Sequence, residues 1–215
     1  MLIAACESNH GGDMELARRM ILSAKENGAD LVKFQLYDAE DDKDKPYFEW
    51  VKKAELSFEQ AKMLFDYGMK VGIEVFFSVF GVEYVNWCEK IEAKRYKIAY
   101  CNRNNLDIIK AIWTTGKPII VSSDKLTIDT TLYCVPQYPT GIGNIKFPLK
   151  EGFDGFSDHA IGIDIAKIAL ARGAQIIEKH FILDRSSPSP EAPWSMTPDE
   201  LKELKRWETV CRQVI

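Results

Sequence analysis

Short runs of apolar residues alternate along the chain with longer segments whose apolar positions recur every three or four residues. The short runs have the length of buried strands, and the longer segments have the spacing of helices that bury one face. The sequence contains eight strand-length runs, at residues 2–6, 31–36, 73–78, 96–99, 118–122, 132–135, 154–156 and 175–179. Helices are predicted at residues 14–27, 57–71, 82–91, 105–115 and 161–172, with a final helix that starts near residue 197.

Capping residues mark several of these helix ends. Ser57 is followed three residues later by Gln60, which is the pattern of a capping box, and Gly72 ends the same segment. Thr197 and Glu200 form a second such box ahead of the last apolar stripe. The boundaries of these two helices are therefore predicted by local chemistry as well as by periodicity.

Regular alternation of strands and helices is typical of a parallel sheet, and eight repeats favour a (β/α)8 TIM barrel over an open sheet. At 215 residues the chain is shorter than the usual ~250 residues of this fold. The fifth and sixth crossovers, near residues 124–130 and 144–150, are too short for full helices and account for the difference. No Gly-x-Gly-x-x-Gly follows the first strand, which argues against dinucleotide binding. We therefore predict one α/β domain over residues 1–215.

Composition narrows the setting. The 46% of hydrophobic residues can fill a sizeable core, yet no apolar run reaches the ~18 residues of a membrane span. No basic segment precedes an apolar run at the N-terminus, so no signal peptide is expected. Five scattered cysteines without a Cys-x-x-Cys pair indicate reduced thiols and a cytoplasmic location. A net charge of −4 argues against nucleic acid as a partner.

Two of the three histidines, His159 and His180, each follow a strand, with one predicted helix between the two strands. The carboxyl ends of parallel strands share one face of the fold, so the two imidazoles could converge on one metal ion. The alternative is that they are unrelated, one at a helix entry and one buried.

Lys33 and Lys97 lie inside apolar strands, where a charge is costly unless an anion accompanies it. They predict a bound phosphate or carboxylate, and serine hydroxyls can complete such a cradle. The alternative is a salt bridge inside the barrel, with Glu74 or Glu178 as partner. The side chains of Asn9 and His10 are expected at the same mouth of the barrel.

Residues 38–46 form a charged, Asp-rich segment between the second strand and the next predicted helix. Charge runs of this kind are usually solvated loops. We therefore favour a solvated loop over a lid that covers a site.

Seven collinear motifs, taken together, resemble the N-acetylneuraminate (sialic acid) synthase family, which condenses phosphoenolpyruvate with an N-acylated sugar aldehyde. They lie at residues 9–13, 32–35, 96–99, 115–118, 138–140, 156–159 and 177–185. The resemblance covers nearly the whole chain and implies a sugar acid synthase of the transferase class. The implied acceptor is N-acetylmannosamine or a related amino sugar.

The resemblance also implies roles for individual residues. His159 and His180 would be the metal ligands, with Mn²⁺ the expected ion. The phosphoenolpyruvate pocket would consist of Lys33, Lys97, Ser122 and Ser157, and Gln35, Tyr138 and Glu191 would face the sugar. Glu178, Lys97 and Lys33 would be catalytic. The oligomeric state stays open, with a homo-oligomer among the possibilities.

Several positions depart from the family pattern. Ala5 replaces a glutamate of the first strand, although Glu7 lies two residues further on and could face the same side. Tyr100 replaces a small serine, and Ala192 replaces a histidine, while Glu191 keeps an acidic charge on a longer arm. The chain stops after one final helix, so the family's C-terminal antifreeze-like domain is expected to be absent.

These departures leave an alternative open. The chain could be a degenerate, non-catalytic barrel that binds phosphoenolpyruvate, a metal ion or a partner protein. A metal-dependent hydrolase on the same fold is a more distant possibility, with Glu178 or Asp158 as its base.

Overall fold

Eight parallel strands close into one barrel, with β8 hydrogen-bonded to β1. The computed structural model describes residues 1–147 and 152–214. The strands are β1 (Leu2–Ala5), β2 (Leu31–Leu36), β3 (Glu74–Val79), β4 (Tyr96–Ile98), β5 (Ile119–Ser123), β6 (Thr130–Cys134), β7 (Gly155–Asp158) and β8 (Ile176–His180). The predicted TIM barrel is confirmed.

Helices surround the barrel. They are α1 (Met14–Glu26), α2 (Phe48–Ala54), α3 (Phe58–Val71), α4 (Val82–Lys90), α5 (Leu106–Trp113), α6 (Asp164–Ala171) and α7 (Pro198–Val214). None of the helices in the described ranges has the length and apolarity that crossing a bilayer requires. The short helix α2 was not predicted, and it makes the connection from β2 to β3 a two-helix segment.

The crossover from β5 to β6 is shortened, as the sequence predicts. No helix connects β5 to β6. Between β6 and β7 the described residues hold a single 3₁₀ turn, Ile142–Asn144, and residues 148–151 of this crossover lie outside the described ranges. The absence of a helix between β5 and β6 helps a complete barrel to fit into 215 residues.

The predicted caps form at both helices. The hydroxyl of Ser57 accepts from the Gln60 N–H at 3.2 Å while the Gln60 side chain accepts from the Ser57 N–H at 2.9 Å. Thr197 and Glu200 exchange the same pair of bonds at the start of α7, at 2.8 and 3.4 Å. Such caps satisfy N–H groups that a helix start leaves without partners.

The barrel interior is layered because alternate side chains of each strand point inward. The lower layer is apolar and buried; its members are Ile3, Leu31, Phe76, Ile120, Leu132 and Ile176. Two residues further along, these strands carry Lys33, Ser78, Ser122 and Glu178, which are buried and polar, and the apolar Ala5 and Cys134. An apolar floor therefore supports a polar layer at the carboxyl ends of the strands.

The strands approach closely where β7 meets β8. Gly155 pairs with Ile176, and a Cβ atom at Gly155 would lie 2.0 Å from the Ile176 carbonyl oxygen. Only glycine fits this position, and the close contact helps to bring the two histidine-bearing strand ends together.

Candidate active site

A cavity of about 480 Å³ opens at the carboxyl ends of the strands, above the polar layer. All ten candidate residues line it: Lys33, Gln35, Lys97, Ser122, Tyr138, Ser157, His159, Glu178, His180 and Glu191. The residues are therefore brought together as expected, while their individual roles stay predictions.

Glu178 lies at the centre of a buried charge cluster. Its Oε2 lies 3.1 Å from Nζ of Lys33, and its Oε1 lies 3.6 Å from Nζ of Lys97. Ser157 donates to Oε1 at 3.0 Å, and Lys97 donates to Oγ of Ser122 at 2.6 Å. The salt bridge considered as an alternative for the lysines is therefore present, with Glu178 as its partner.

Glu74, the other proposed partner, lies elsewhere. Its carboxylate binds Arg95, with 2.6 Å between Oε1 and Nε. The expectation of a Glu74 salt bridge is wrong because Glu74 begins β3 at the opposite end of the barrel from the polar layer.

The two lysines differ electrostatically. Burial opposes the charge of Lys33, but Glu178 and Glu7 on either side raise its pKa above the ordinary value. Burial lowers the pKa of Lys97, and Glu178 offsets this only in part. Burial also opposes the charge of Glu178, yet the two lysines hold its pKa at about 2. Lys33 is thus a fixed cation, whereas Lys97 releases a proton more readily.

Glu7 provides the carboxylate that Ala5 lacks. Its Oε1 lies 2.6 Å from Nζ of Lys33, which confirms that it faces the same side. Burial raises the pKa of Glu7 despite Lys33. Its backbone φ is 44°, in the left-handed region that is unfavourable for residues other than glycine. Within the described residues, Oε2 of Glu7 has no hydrogen-bond partner although it is buried.

The two histidines meet above this cluster, with 5.2 Å between their ring centroids. Burial lowers the pKa of His159 to about 3 and, together with His159, lowers that of His180 well below its usual range. Both imidazoles are neutral at physiological pH, which is the form that binds metal ions.

The two histidines are the donors available to a metal ion at this end of the cavity. No group of three or more His, Cys, Asp and Glu side chains in the described part of the chain forms a complete metal site. Two neutral imidazoles that face one polar cavity suit a divalent ion whose other ligands are water or substrate oxygens. The residues therefore fit an ion that is held by two protein ligands.

His180 is held from outside by two side chains. The indole Nε1 of Trp194 lies 3.2 Å from Nδ1, and Oε1 of Glu191 lies 3.4 Å from the same nitrogen. Ser8 in turn donates to Oε2 of Glu191 from its N–H at 3.2 Å and its hydroxyl at 2.9 Å. These contacts fix the ring of His180 toward the cavity.

Tyr100, which replaces a serine of the family pattern, forms part of the cavity wall. The guanidinium of Arg103 lies 3.7 Å from its ring centroid, and its hydroxyl bonds to Asp124. The larger side chain is therefore fixed at the wall by Arg103 and Asp124.

Sequence reasoning missed several cavity residues. Asp42, Tyr47 and Val51, from the segment between β2 and α3, line the cavity. The expectation of a solvated loop over residues 38–46 is wrong for Asp42, which lines the cavity, whereas residues 43–46 are exposed as expected. The charge run at residues 38–46 does not predict a place in the cavity wall, because the position of a loop depends on contacts with the rest of the fold. Cys134 and Trp194 were also missed.

Asn9 and His10 were expected at the mouth but do not line it. The side-chain amide of Asn9 donates to the Phe181 carbonyl and to Oγ of Ser195, both at 2.9 Å. His10 packs edge-on against Phe34, with 5.8 Å between ring centroids. Both residues stabilise the loop after β1 from beneath.

A family model described as the NeuB family matches residues 20–214. The chain belongs to the NeuB family. A pseudaminic acid synthase from Campylobacter jejuni is 32% identical, over 94% of this chain and 71% of the relative. An N,N'-diacetyllegionaminic acid synthase from Legionella pneumophila is 29% identical, over 94% of this chain and 69% of the relative.

Solved structures agree with this assignment. The crystal structure of an N-acetylneuraminic acid synthetase from Leptospira borgpetersenii, in complex with citrate, superposes with a TM-score of 0.89. It is 29% identical in sequence, and the match covers 99% of this chain and 84% of the other. The relatives described here are sugar acid synthases.

Proposed function

We propose that this chain condenses phosphoenolpyruvate with an N-acylated sugar aldehyde to give a nonulosonic-type sugar acid and phosphate. The observation that carries the proposal is the pairing of two buried lysines with two neutral histidines across one cavity. The lysines match the anionic groups of phosphoenolpyruvate, and the histidines match a metal ion beside the aldehyde. Membership in a family of sugar acid synthases agrees with this reaction.

The proposed reaction forms one bond between carbon atoms and releases one phosphate. The methylene carbon of phosphoenolpyruvate attacks the aldehyde carbon, and the aldehyde oxygen takes up a proton. Water then adds to the cationic second carbon and loses a proton, and the bond from that carbon to the phosphate oxygen breaks to leave the keto acid. Phosphoenolpyruvate, aldose and water thus yield sugar acid and phosphate.

Lys33 and Lys97 divide the work on phosphoenolpyruvate. Lys33, whose pKa is raised by its glutamate neighbours, keeps a fixed charge for the anion. Lys97, whose pKa is lowered by burial, is the better proton donor to the departing phosphate. Ser122 and Ser157 orient the lysine and the glutamate respectively, because each hydroxyl is already bonded to that partner.

His159 and His180 are the proposed ligands of a divalent ion, and Mn²⁺ is the one we propose. When bound, such an ion supplies Lewis-acid polarisation of the carbonyl group. Trp194 and Glu191 keep the ring of His180 aligned toward the cavity. Gln35, Tyr138 and Glu191 line the remaining wall and are the proposed contacts to the sugar.

The test is phosphate release from phosphoenolpyruvate with Mn²⁺ and a panel of N-acylated aldoses. We expect release with at least one sugar, and Lys97→Met and His159→Ala should each lower kcat/KM by ~100-fold or more. Lys117→Met is a matched control, since Lys117 binds Glu89 far from the cavity. Release without dependence on Lys97 or His159 would contradict the assignment of the site.

The same assay separates the synthase from the alternative, a barrel that binds without turnover. Calorimetry with phosphoenolpyruvate and Mn²⁺ should show binding, and product should form when the sugar is added. Binding with no product from any sugar would favour the non-catalytic alternative, whose motive is Tyr100 in the cavity wall.

A further inference from the structure

The cavity has a floor and a rim that differ in charge. The floor is the buried polar layer at the strand ends. Among the described residues, the cations that line the cavity are Lys33 and Lys97, and both belong to this floor. Both are already matched, Lys33 by Glu7 and Glu178, and Lys97 by Glu178. Neither lysine is left over to bind a second anionic group higher in the cavity.

The rim is acidic and aromatic. Asp42 reaches it from the connection between β2 and α2, and Glu191 from the connection between β8 and α7. The other rim side chains are aromatic or apolar; they are Tyr47, Val51, Phe80, Tyr138, Pro190 and Trp194. The rim residues that the structure describes therefore include none of the cations that usually bind a phosphate group.

Nearby basic residues do not change this balance. Lys43 and Lys45, in the same connection as Asp42, are exposed and do not line the cavity. Arg103 stacks on Tyr100, and its Nε lies 3.4 Å from Oδ1 of Asp124. Its charge is therefore paired with Asp124.

In the proposed function, the floor and the rim of the cavity bind different substrates. Phosphoenolpyruvate occupies the floor lysines, so the aldehyde carbon of the acceptor has to lie just above them. The remainder of the sugar then extends toward the rim. A phosphate at the far end of the sugar would lie beside Asp42 without a cation, whereas hydroxyl groups can donate hydrogen bonds to that carboxylate.

We propose that the acceptor is an uncharged, unphosphorylated N-acylated sugar, and that Asp42 excludes its phosphorylated counterpart. The proposal rests on the proposed function and specifies its substrate class. Asp42 is thereby a specificity-determining residue of the rim.

The test compares two acceptors that differ in one phosphate, N-acetylmannosamine and N-acetylmannosamine 6-phosphate, at fixed phosphoenolpyruvate and Mn²⁺. We expect kcat/KM to favour the uncharged sugar by at least ~10-fold, as for a dianion beside the Asp42 carboxylate. Asp42→Asn should lower this ratio by about 3–10-fold, and Asp42→Lys should lower it further.

Asp44→Asn is the matched control, because Asp44 belongs to the same connection and is exposed but does not line the cavity. It makes the same change in net charge and should leave the ratio unchanged. Calorimetric binding of both sugars gives a second ratio that does not depend on turnover, and it should show the same preference.

The possible outcomes distinguish a failure of the substrate assignment from a failure of the proposed function. Equal or better use of the phosphorylated sugar by the natural protein overturns this inference and leaves the proposed function standing. Equal effects of Asp42→Asn and Asp44→Asn would overturn the role of Asp42. Failure of every sugar to release phosphate would count against the proposed function, and equal binding of the two sugars would still overturn the inference.

Discussion

The side-chain amino group of Lys179 lies 2.9 Å from Oδ2 of Asp158, and neither side chain is exposed to solvent. The two residues are register partners on β7 and β8, and each immediately precedes a histidine of the site, His159 or His180. Lys179 also donates to the Ala160 carbonyl at 2.7 Å, and Oδ1 of Asp158 accepts the Ala160 N–H at 2.9 Å. The pair therefore fixes both histidine-bearing strand ends from the outer face of the sheet.

Removing one member of this pair should strongly destabilise the protein. Lys179→Met leaves Asp158 as an uncompensated buried charge, and we expect it to lower the free energy of unfolding by about 3–5 kcal/mol. The double variant Asp158→Asn, Lys179→Met should lose less, since no net charge stays buried. Urea titrations of the natural protein and the variants measure both effects, and a loss under ~1 kcal/mol for Lys179→Met would contradict the role given to the pair.

A second ion cluster at the opposite end of the barrel anchors the last helix. Burial opposes the charge of Glu208, yet bonds from the Met1 amino group, Lys205 and Arg212 hold its pKa at about 2. Its Oε2 lies 2.9 Å from Lys205 and its Oε1 lies 2.8 Å from Arg212. A carboxyl whose pKa is depressed in the folded state stabilises that state above its ordinary pKa and loses the effect as pH falls toward the folded value.

Glu208→Gln should therefore cost about 1–3 kcal/mol at pH 7, and the cost should shrink as pH falls from about 5 toward 2. Denaturant unfolding of both proteins at several pH values measures the difference. Glu203→Gln is a suitable control on the same helix, because Glu203 is half-exposed and pairs with Lys167, outside the Glu208 cluster. A difference that stayed constant over this pH range would show that the charge of Glu208 is not its source.

The barrel was predictable because its signals are local and repeated. Buried parallel strands are continuous apolar runs, and the capping boxes at Ser57 and Thr197 mark helix starts in the sequence itself. Helix α2 was missed because its N-cap residue, Tyr47, makes no side-chain capping bond and follows a charged run. Where the sequence has no local capping signal, tertiary contacts determine whether a helix forms.

The same division holds for the site. Lys33, Lys97, Glu178 and His180 were predictable because strand alternation fixes where their side chains point. Asp42 reaches the rim through a long connection whose path the sequence does not specify. The site residues on strands could thus be predicted from the sequence, whereas the rim residues could be identified only from the structure.

Metal binding should be visible in the fluorescence of one tryptophan. The indole nitrogen of Trp194 lies 3.2 Å from Nδ1 of His180, so a paramagnetic Mn²⁺ on the histidine pair should quench its emission. We expect saturable quenching on titration with Mn²⁺, its reversal by a chelator, and its loss in His159→Ala. Trp194→Phe should remove most of the signal, whereas Trp113→Phe should not, because Trp113 is half-exposed on α5 and far from the cavity. Quenching that survives His159→Ala would place the ion elsewhere.

The strained position of Glu7 separates a structural from a functional requirement. A side chain at φ 44° costs ~1–3 kcal/mol relative to relaxed backbone, and such strain persists where the surrounding structure enforces it. Asparagine tolerates the left-handed region better than glutamate does, and it removes the carboxylate that lies beside Lys33. The free energy of unfolding of the Glu7→Asn variant should therefore lie within ~1 kcal/mol of that of the natural protein.

The activity of the same variant should fall, because Lys33 then has only Glu178 to hold it and the free oxygen of Glu7 no longer faces the cavity. We expect kcat/KM for phosphoenolpyruvate to drop ~10-fold or more, while Glu7→Gln, which keeps the shape without the charge, should show a similar loss. Steady-state kinetics and urea titrations of the two variants measure activity and stability side by side. Full activity in both variants would mean that the Glu7 carboxylate only fills the space next to Ala5.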